Sequence, residues 1–248
     1  TAAPSGYSDY EALIEGATAA EPAIDVAPED VSALMYTSGT TGHPKGAIRN
    51  HAGNAMISLV TAIDMGFTAE DIGLLVMPMC HANSLYFAIT LTYLGATTVV
   101  HDRKSFDAAE VLRALSDNRA TFTSLVPTQY VLLLDLAADV FERHSIDCVK
   151  RLMISSAPAR KETKLAIMQR FRNSQLFELY GSTEAGFVTI LRPDEQIEKL
   201  GSVGREWSGT GPVRILDQDG NDVPDGEIGE LYSWTPFAFT GYWNLPEK

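Results

Sequence analysis

Short apolar runs alternate with helical patterns along most of this 248-residue chain. The apolar runs have the length of strands and lack a regular alternation of polar and apolar residues, which is typical of strands buried on both faces. Such runs occur at residues 33–35, 74–77, 97–100, 121–125, 151–155 and 176–179. Helical patterns occur at residues 8–15, 50–65, 84–94, 107–118, 128–136 and 161–171. This order predicts an α/β fold with a mostly parallel sheet flanked by helices.

Glycine and proline become frequent in the last quarter of the chain, where the apolar runs are shorter. Two such runs, at 213–216 and 230–233, flank an Asp-Gly dipeptide of the kind that favours hairpin turns. We therefore expect an α/β core over residues 1–190 and a smaller antiparallel β section over residues 191–248.

Two of the helical patterns carry further signals. Asp107 and Glu110 have the spacing of a capping box at the start of the pattern at 107–118. In the pattern at 50–65, apolar residues recur at helical spacing and form one stripe. The stripe consists of Met56, Leu59, Val60 and Ile63.

The composition narrows the classes of function. The chain has 19 Lys and Arg against 32 Asp and Glu, a formal charge of −13. Nucleic acid is therefore not an expected partner, because binding a phosphate backbone requires clustered positive charge. The sequence holds no apolar run of transmembrane length. Two cysteines do not make a disulfide framework, so we expect a reducing, cytoplasmic environment.

Hydroxyl side chains, glycines and a lysine are concentrated in the segment YTSGTTGHPKG at residues 36–46. Glycines let a backbone turn tightly and approach a ligand, and the N–H groups of such a turn can converge on an anion. Lys45 adds a mobile charge that suits phosphate. The segment matches neither the Walker pattern nor G-x-G-x-x-G, and a solvated linker is the alternative. We expect it at the C-terminal edge of the parallel sheet, followed by the helix at 50–65.

Three later segments also begin where an apolar run ends, the sheet edge at which α/β proteins bind ligands. MPMCHANS at 77–84 places His81 there, although a structural histidine is the alternative. Neither a metal site nor a thiol nucleophile is expected at the adjacent Cys80, because partner residues with suitable spacing are missing. LMISSAP at 152–158 brings small residues, and LYGSTEAG at 179–186 brings Glu184, a carboxylate that can hold Mg²⁺.

These segments, in this order, resemble the motifs of the acyl-adenylate-forming superfamily, which includes acyl- and aryl-CoA synthetases. The family commonly has glycine near Ser155 and Ser156, where this chain has serines. The resemblance implies catalytic roles for His81, Thr183 and Glu184, with Glu184 also holding the metal. It implies nucleotide binding by Thr37, Ser38, Gly39, Thr40, Thr41, Gly42, Lys45, Ser156, Ala157, Pro158, Tyr180, Gly181, Ser182 and Thr183.

The resemblance further implies an ATP-dependent ligase that uses Mg²⁺, converts a carboxylic acid to an acyl-adenylate and passes the acyl group to coenzyme A. A domain that loads a carrier protein and a non-catalytic nucleotide-binding module are the alternatives, and a homodimer is possible. Apolar pocket walls are expected, with ordinary core as the alternative, at Tyr86, Phe87, Val126 and Pro127. The family's C-terminal domain and its lysine are not in these 248 residues, so we expect the chain alone to adenylate poorly.

Overall fold

A computed structural model describes residues 4–37 and 43–247 of the chain. Its helices are α1 (Tyr10–Glu15), α2 (His51–Met65), α3 (Ala82–Tyr93), α4 (Ala108–Asp117), α5 (Pro127–Leu134), α6 (Ala138–Glu142) and α7 (Lys161–Arg170). Its strands are β1 (Val31–Thr37), β2 (Lys45–Asn50), β3 (Ile72–Leu75), β4 (Thr97–Val100), β5 (Phe122–Leu125), β6 (Arg151–Ser155), β7 (Gln175–Ser182), β8 (Gly186–Leu191), β9 (Arg205–Glu206), β10 (Arg214–Leu216) and β11 (Glu230–Tyr232). No helix in these described ranges has the length and hydrophobicity needed to cross a bilayer.

The main sheet has seven strands in the order β4-β3-β5-β6-β7-β8-β9. The first five are parallel to one another, and β8 and β9 continue the sheet in antiparallel pairing. The predicted mostly parallel α/β sheet is therefore confirmed. Because parallel strands end at the same edge, the residues that follow β3, β6 and β7 lie near one another.

Side chains alternate between the two faces of this sheet and form a core on each. Met153 belongs to one core together with Phe87 and Phe122, whereas its neighbours Leu152 and Ile154 belong to the other. Helices α2 and α3 cover the first face, and α4, α5 and α7 cover the second. Burial on both faces explains why the inner strands β3, β5, β6 and β7 lack a regular alternation of polar and apolar residues.

The strand that leads into the segment at 36–46 does not belong to the parallel sheet, so the prediction that the run at 33–35 is one of its strands was wrong. The strands that flank the segment, β1 and β2, pair with each other in an antiparallel two-stranded sheet, with Thr37 opposite Lys45. Strand β2 also separates the segment from α2, which begins only at His51. The sequence KGAIRN of β2 is short and contains a glycine, so it gives a weak strand signal.

Helix α2 does not pack its apolar stripe inward as an amphipathic helix would. Of the four residues of the stripe only Val60 is buried, and Met56, Leu59 and Ile63 are exposed. Ile57 and Ser58, outside the stripe, are fully buried. The hydroxyl of Ser58 donates to the carbonyl of Asn54, so its polar atom is satisfied inside the helix. Small residues whose polar atoms are hydrogen-bonded in this way permit close packing against α3. Hydrophobic periodicity does not predict that such polar residues are buried.

The last part of the chain forms the small antiparallel pair β10–β11, as predicted, while β9 extends the main sheet. Residues 240–243 run alongside β2. The amide of Ile48 donates to Gly241, and the amides of Thr240 and Trp243 donate to Ile48 and Gly46 respectively. This contact fixes the C-terminal segment beside the strands that carry the 36–46 segment. The division of the chain at residue 190 stays a prediction.

Candidate functional site

A cavity of about 370 Å³ lies where β3, β6 and β7 end. Five of the residues predicted for the site line it, namely His81, Ser156, Gly181, Ser182 and Thr183. Asn83, Ser155 and Phe187 line it too, although the sequence did not single out Asn83 or Phe187. The cavity therefore lies where three strands end, at the sheet edge expected from the positions of the apolar runs.

The β7–β8 hairpin presents Thr183 and Glu184. Its strands pair Gly181 with Phe187 and Ser182 with Gly186, and the Ser182 hydroxyl accepts from the amide of Ala185 across the turn. A Cβ atom on Gly181 would lie 2.2 Å from the carbonyl oxygen of Gly186, so only glycine fits. The tight turn places Thr183 at the cavity and turns the carboxylate of Glu184 toward β1.

The carboxylate of Glu184 is held by residues from both ends of the chain. The Tyr242 hydroxyl donates to Oε1 over 2.8 Å, and the Thr37 hydroxyl lies 3.4 Å from the same atom. The backbone carbonyl of Glu184 accepts from the amide of Phe239 over 2.7 Å. Thr37 ends the strand that precedes residues 38–42, so the carboxylate stands at the start of that segment.

Arg49 is a residue of the site that sequence reasoning missed. Its guanidinium, which is 1% exposed, donates to the carbonyls of Phe237 and Glu184 and lies 5.1 Å from the ring centroid of Tyr86. Burial lowers the pKa of Arg49, and the neighbouring Tyr86 offsets this in part. An arginine directly after the small and apolar run GAI at 46–48 was the available signal.

Tyr86 and Phe87, expected as possible pocket walls, are instead fully buried core residues. The Tyr86 hydroxyl lies 3.4 Å from the carbonyl of Thr183, and burial raises the pKa of that phenol. Val126 and Pro127 lie at the start of α5 and do not line the cavity. The alternative of ordinary core therefore applies to Tyr86 and Phe87.

His81 stands at the N-cap position of α3 and lines the cavity, but its side chain makes no capping hydrogen bond. Asn83, the second residue of α3, also lines the cavity and donates from Nδ2 to the hydroxyl of Ser155 over 2.7 Å. Ser156 has a φ of +68°, a conformation that glycine adopts more readily, which accords with the glycine that the family commonly has here.

Of the remaining predicted residues, those that the structure describes do not line the cavity. The Lys45 ammonium group lies 5.3 Å above the ring centroid of Tyr242, and the ring of Tyr180 is 41% exposed. Ala157 and Pro158 follow β6 without lining the cavity. Ser38, Gly39, Thr40, Thr41 and Gly42 lie outside the described residues, and their roles, like those of the other site residues, stay predictions.

The residues that are present fit a magnesium ion that is held mainly by phosphates. Within the part of the chain that the structure describes, no three His, Cys, Asp or Glu side chains converge on a metal position. Mg²⁺ characteristically uses one or two carboxylates together with substrate phosphates. Described neighbours donate hydrogen bonds to Oε1 of Glu184, and Oε2 receives none from them. One carboxylate oxygen is thus available beside the segment predicted to bind phosphate.

Comparison with known proteins identifies the family. A family described as "AMP-binding enzyme" matches residues 3–243. The chain belongs to the AMP-binding enzyme family. The resemblance read from the four sequence motifs is therefore confirmed.

Relatives in the AMP-binding enzyme family include a 2-succinylbenzoate–CoA ligase of Bacillus licheniformis, 33% identical over 218 residues, which are 86% of this chain and 43% of the relative. An indoleacetate–CoA ligase of Aromatoleum aromaticum is 33% identical over 247 residues, which are 98% of this chain and 47% of the relative. The chain thus spans less than half the length of these relatives.

A solved structure shows that the fold is shared as well. The o-succinylbenzoate CoA synthetase MenE of Bacillus subtilis, in complex with ATP and magnesium ion, superposes with a TM-score of 0.82 at 26% identity. The match covers 94% of this chain and 47% of MenE.

Proposed function

We propose that this chain is the nucleotide-binding core of an ATP-dependent carboxylate–CoA ligase. The observation that carries the proposal is the position of the β7–β8 turn. It sets Thr183 in the cavity and the Glu184 carboxylate beside Thr37, at the start of the predicted phosphate segment. A triphosphate lying between these two elements would have its α-phosphate next to the cavity that receives the acid.

The reaction has two steps, because a carboxylate is a poor electrophile. A carboxylate oxygen of the acid bonds to the α-phosphorus of ATP, the bond from that phosphorus to the bridging oxygen breaks, and pyrophosphate leaves. The sulfur of coenzyme A, having given its proton to solvent, then bonds to the acyl carbon, and AMP leaves with the former carboxylate oxygen. Each step moves negative charge at phosphate, so electrostatic stabilisation and positioning are the main contributions required of the protein.

Individual residues have distinct parts in this proposal. Lys45 and the hydroxyl and N–H groups of residues 37–42 bind the β- and γ-phosphates, and the Thr183 hydroxyl contacts the α-phosphate. His81, at the mouth of the cavity, orients the carboxylate of the acid. Glu184 would hold a magnesium ion, which would supply neutralisation of the phosphate charge when bound. Tyr180, Ser156, Ala157 and Pro158 contact the adenosine.

The names of the relatives support coenzyme A as the acyl acceptor, since the two proteins above are named as CoA ligases. Their named acids, 2-succinylbenzoate and indoleacetate, are both compact and aromatic. We propose a cytoplasmic location, which is compatible with Cys80 and Cys148 both being free thiols.

Titration calorimetry with ATP, with and without Mg²⁺, tests the proposal on this chain without requiring turnover. We expect binding that depends on Mg²⁺ and is weakened at least about tenfold by Glu184→Ala, the scale of a lost charge-assisted contact. Glu227→Ala, in an exposed turn of the β10–β11 section, is the matched control and leaves binding unchanged. Absence of ATP binding, or binding indifferent to Glu184, would favour a non-catalytic module instead.

A further inference from the structure

The β7–β8 turn is anchored through its backbone by Arg49, a residue of β2. One terminal nitrogen of the guanidinium donates over 3.2 Å to the carbonyl of Glu184, and the other donates to the carbonyl of Phe237. The guanidinium is a planar fork with its donors in fixed directions, so it holds the two carbonyls at a fixed separation. Arg49 thus fixes the peptide unit that follows the Glu184 Cα atom against the C-terminal segment.

The peptide units on both sides of the Glu184 Cα atom are held from the same place. The carbonyl of Thr183 belongs to the unit before this atom and lies 3.4 Å from the hydroxyl of Tyr86. The guanidinium of Arg49, 5.1 Å from the ring centroid of that tyrosine, holds the unit after it. Peptide units are planar, so the orientations of two successive units determine the direction of the side chain between them. Arg49 and the tyrosine on which it stacks therefore set the direction in which the Glu184 side chain leaves the backbone.

Arg49 also links this turn to the segment predicted to bind phosphate. Alternate residues of a strand share a face, so Lys45, Ala47 and Arg49 lie on one face of β2. Ala47 and Arg49 are buried, and the ammonium group of Lys45 lies above the ring of Tyr242, whose hydroxyl donates to Oε1 of Glu184. One face of a single strand thus carries both the lysine predicted to bind phosphate and the arginine that holds the turn.

Stability of the fold does not account for a buried charge at this position. Arg49 is 1% exposed and forms no ion pair with a carboxylate among the described residues. Removing a charge from water is costly, and apolar residues of similar volume often replace buried ionic groups without loss of stability. Burial lowers the pKa of Arg49 for the same reason. A role in the site, rather than in stability, explains why a guanidinium lies here.

We propose that Arg49 is a positioning residue of the nucleotide site, which aims the Glu184 carboxylate at the metal position by holding the backbone of the turn. The inference rests on the proposed function, since it concerns how Glu184 is placed for the role proposed there. Arg49 contacts neither nucleotide nor metal in this proposal and acts only through the turn. A displacement of about 1 Å in such a group can cost about a hundredfold in rate, so loss of the anchor is expected to weaken Mg²⁺-dependent binding.

Titration calorimetry measures the ATP affinity with Mg²⁺ and with a chelator, and the ratio of the two affinities is the Mg²⁺ effect. Arg49→Met has a side chain of similar length without donors or charge, and we expect it to reduce the Mg²⁺ effect at least about tenfold. Arg49→Lys keeps the charge but lacks the planar fork, so we expect an intermediate reduction of about threefold. The lysine variant also keeps the test decisive if the methionine variant does not fold.

Arg151→Met is the matched control. Arg151 also lies over an aromatic ring, that of Phe67, and donates to a backbone carbonyl, that of Gly66. It begins β6, however, at the opposite edge of the sheet from the cavity. We expect this variant to lose stability and to retain the full Mg²⁺ effect. Thermal unfolding of every variant records the change in stability and verifies that the variant is folded.

A double-mutant cycle separates positioning from a general contribution to the fold. In a chain that already carries Glu184→Ala, Arg49→Met is expected to cause no further loss of the Mg²⁺ effect, because the carboxylate that Arg49 aims is absent. A purely structural contribution would instead lower the ATP affinity by the same factor with Mg²⁺ and with the chelator.

The outcomes separate this inference from the proposed function. If the unaltered chain shows no Mg²⁺ effect, the proposed function fails and the inference fails with it. If Glu184→Ala abolishes the Mg²⁺ effect while both Arg49 variants retain it in full, Arg49 is not a positioning residue and the proposed function stands. If Arg49→Met lowers the affinity equally with and without Mg²⁺, or adds to the loss caused by Glu184→Ala, its effect does not pass through Glu184 and the inference is wrong.

Discussion

The phenol of Tyr242 donates a 2.8 Å hydrogen bond to Oε1 of Glu184, the carboxylate proposed to hold the metal. Burial, together with this bond and the charge of Glu184, raises the pKa of Tyr242 to about 12. Tyr242 also forms an isolated bridge to Ala47 of β2. The tyrosine therefore ties the carboxylate to the strand that follows the 36–46 segment.

Tyr242→Phe is expected to lower the free energy of unfolding by about 1 kcal/mol at neutral pH, the scale of a partly exposed hydrogen bond. The folded pKa lies above the ordinary value of about 10, so the contribution of the phenol is complete below about pH 10. It is then lost as the pH rises toward about 12.

Urea unfolding followed by tryptophan fluorescence across this range measures the difference in unfolding free energy between the unaltered chain and Tyr242→Phe. Tyr10→Phe, on the exposed helix α1, is the control. A difference that stays constant up to about pH 12 would contradict the assignment.

Gly181→Ala is expected to disrupt the hairpin that carries Thr183 and Glu184. The added Cβ would meet the carbonyl oxygen of Gly186 at 2.2 Å, and this backbone atom cannot move without displacing the turn. We expect Mg²⁺-dependent ATP binding to weaken at least about tenfold. Gly201→Ala is the control, because its Cβ would meet only the flexible Lys161 side chain, at 3.4 Å. Calorimetry measures ATP binding of both variants, and thermal unfolding verifies that both are folded. Unchanged binding in the Gly181 variant would show that the hairpin accommodates the added Cβ without displacing Thr183 and Glu184.

Asp71 is expected to govern stability in acid. Its carboxylate is 1% exposed, and burial alone would raise its pKa. Hydrogen bonds from Thr121 and Thr68, with the charge of Arg151, more than offset this and hold the pKa below its ordinary value. A lowered folded pKa contributes stability above the unfolded value of about 3.9, and this is lost as the pH falls through the folded pKa.

Asp71→Asn should therefore cost about 3 kcal/mol at neutral pH, the scale of a broken buried ion pair, and progressively less below about pH 4. Asp139→Asn, in an exposed pair with Arg143, is the matched control and should change stability by less than about 0.5 kcal/mol. Chemical unfolding at a series of acid pH values measures both. An equal cost for Asp71→Asn at every pH would exclude ionisation as the cause.

Two isoleucines of α2 test which face of that helix is buried. Ile57 is fully buried in the core and Ile63 is 65% exposed. Ile57→Ala is expected to cost about 2–4 kcal/mol, because it leaves a cavity. Ile63→Ala should cost less than about 0.5 kcal/mol. Equal costs in urea unfolding would mean that the stripe at Met56, Leu59 and Ile63 is packed after all.

The parallel sheet was predictable from sequence because its inner strands are buried on both faces and so lack a regular alternation of polar and apolar residues. Strand β2 was not, because KGAIRN lies outside the main sheet and has a strand signal too short to separate from the helix that follows it. The face of α2 was misjudged for a related reason. Apolar content was taken as burial, whereas α2 also buries Ser58, whose hydroxyl donates to the carbonyl of Asn54, and Asn54, whose amide nitrogen donates to Ser32.

The site residues that belong to local sequence motifs were predictable. The residues that join the site only through contacts distant in sequence were not. His81, Thr183 and Glu184 stand at the ends of recognisable strands. Arg49 and Tyr242 form hydrogen bonds with Glu184 although they lie 135 and 58 residues away from it in sequence. No local sequence pattern predicts such contacts. Asn83 lay inside a motif, but its hydrogen bond to Ser155 is evident only from packing.

The three-way contact of Thr37, Glu184 and Tyr242 has a consequence for how the protein reaches its native state. Thr37 precedes Glu184 by 147 residues, so this meeting closes one of the longest loops in the chain. Loops of that length have a high entropic cost that only a largely assembled sheet can offset. Completion of the Glu184 contact is therefore expected late in folding. Recovery of Mg²⁺-dependent ATP binding should lag behind recovery of secondary structure during refolding.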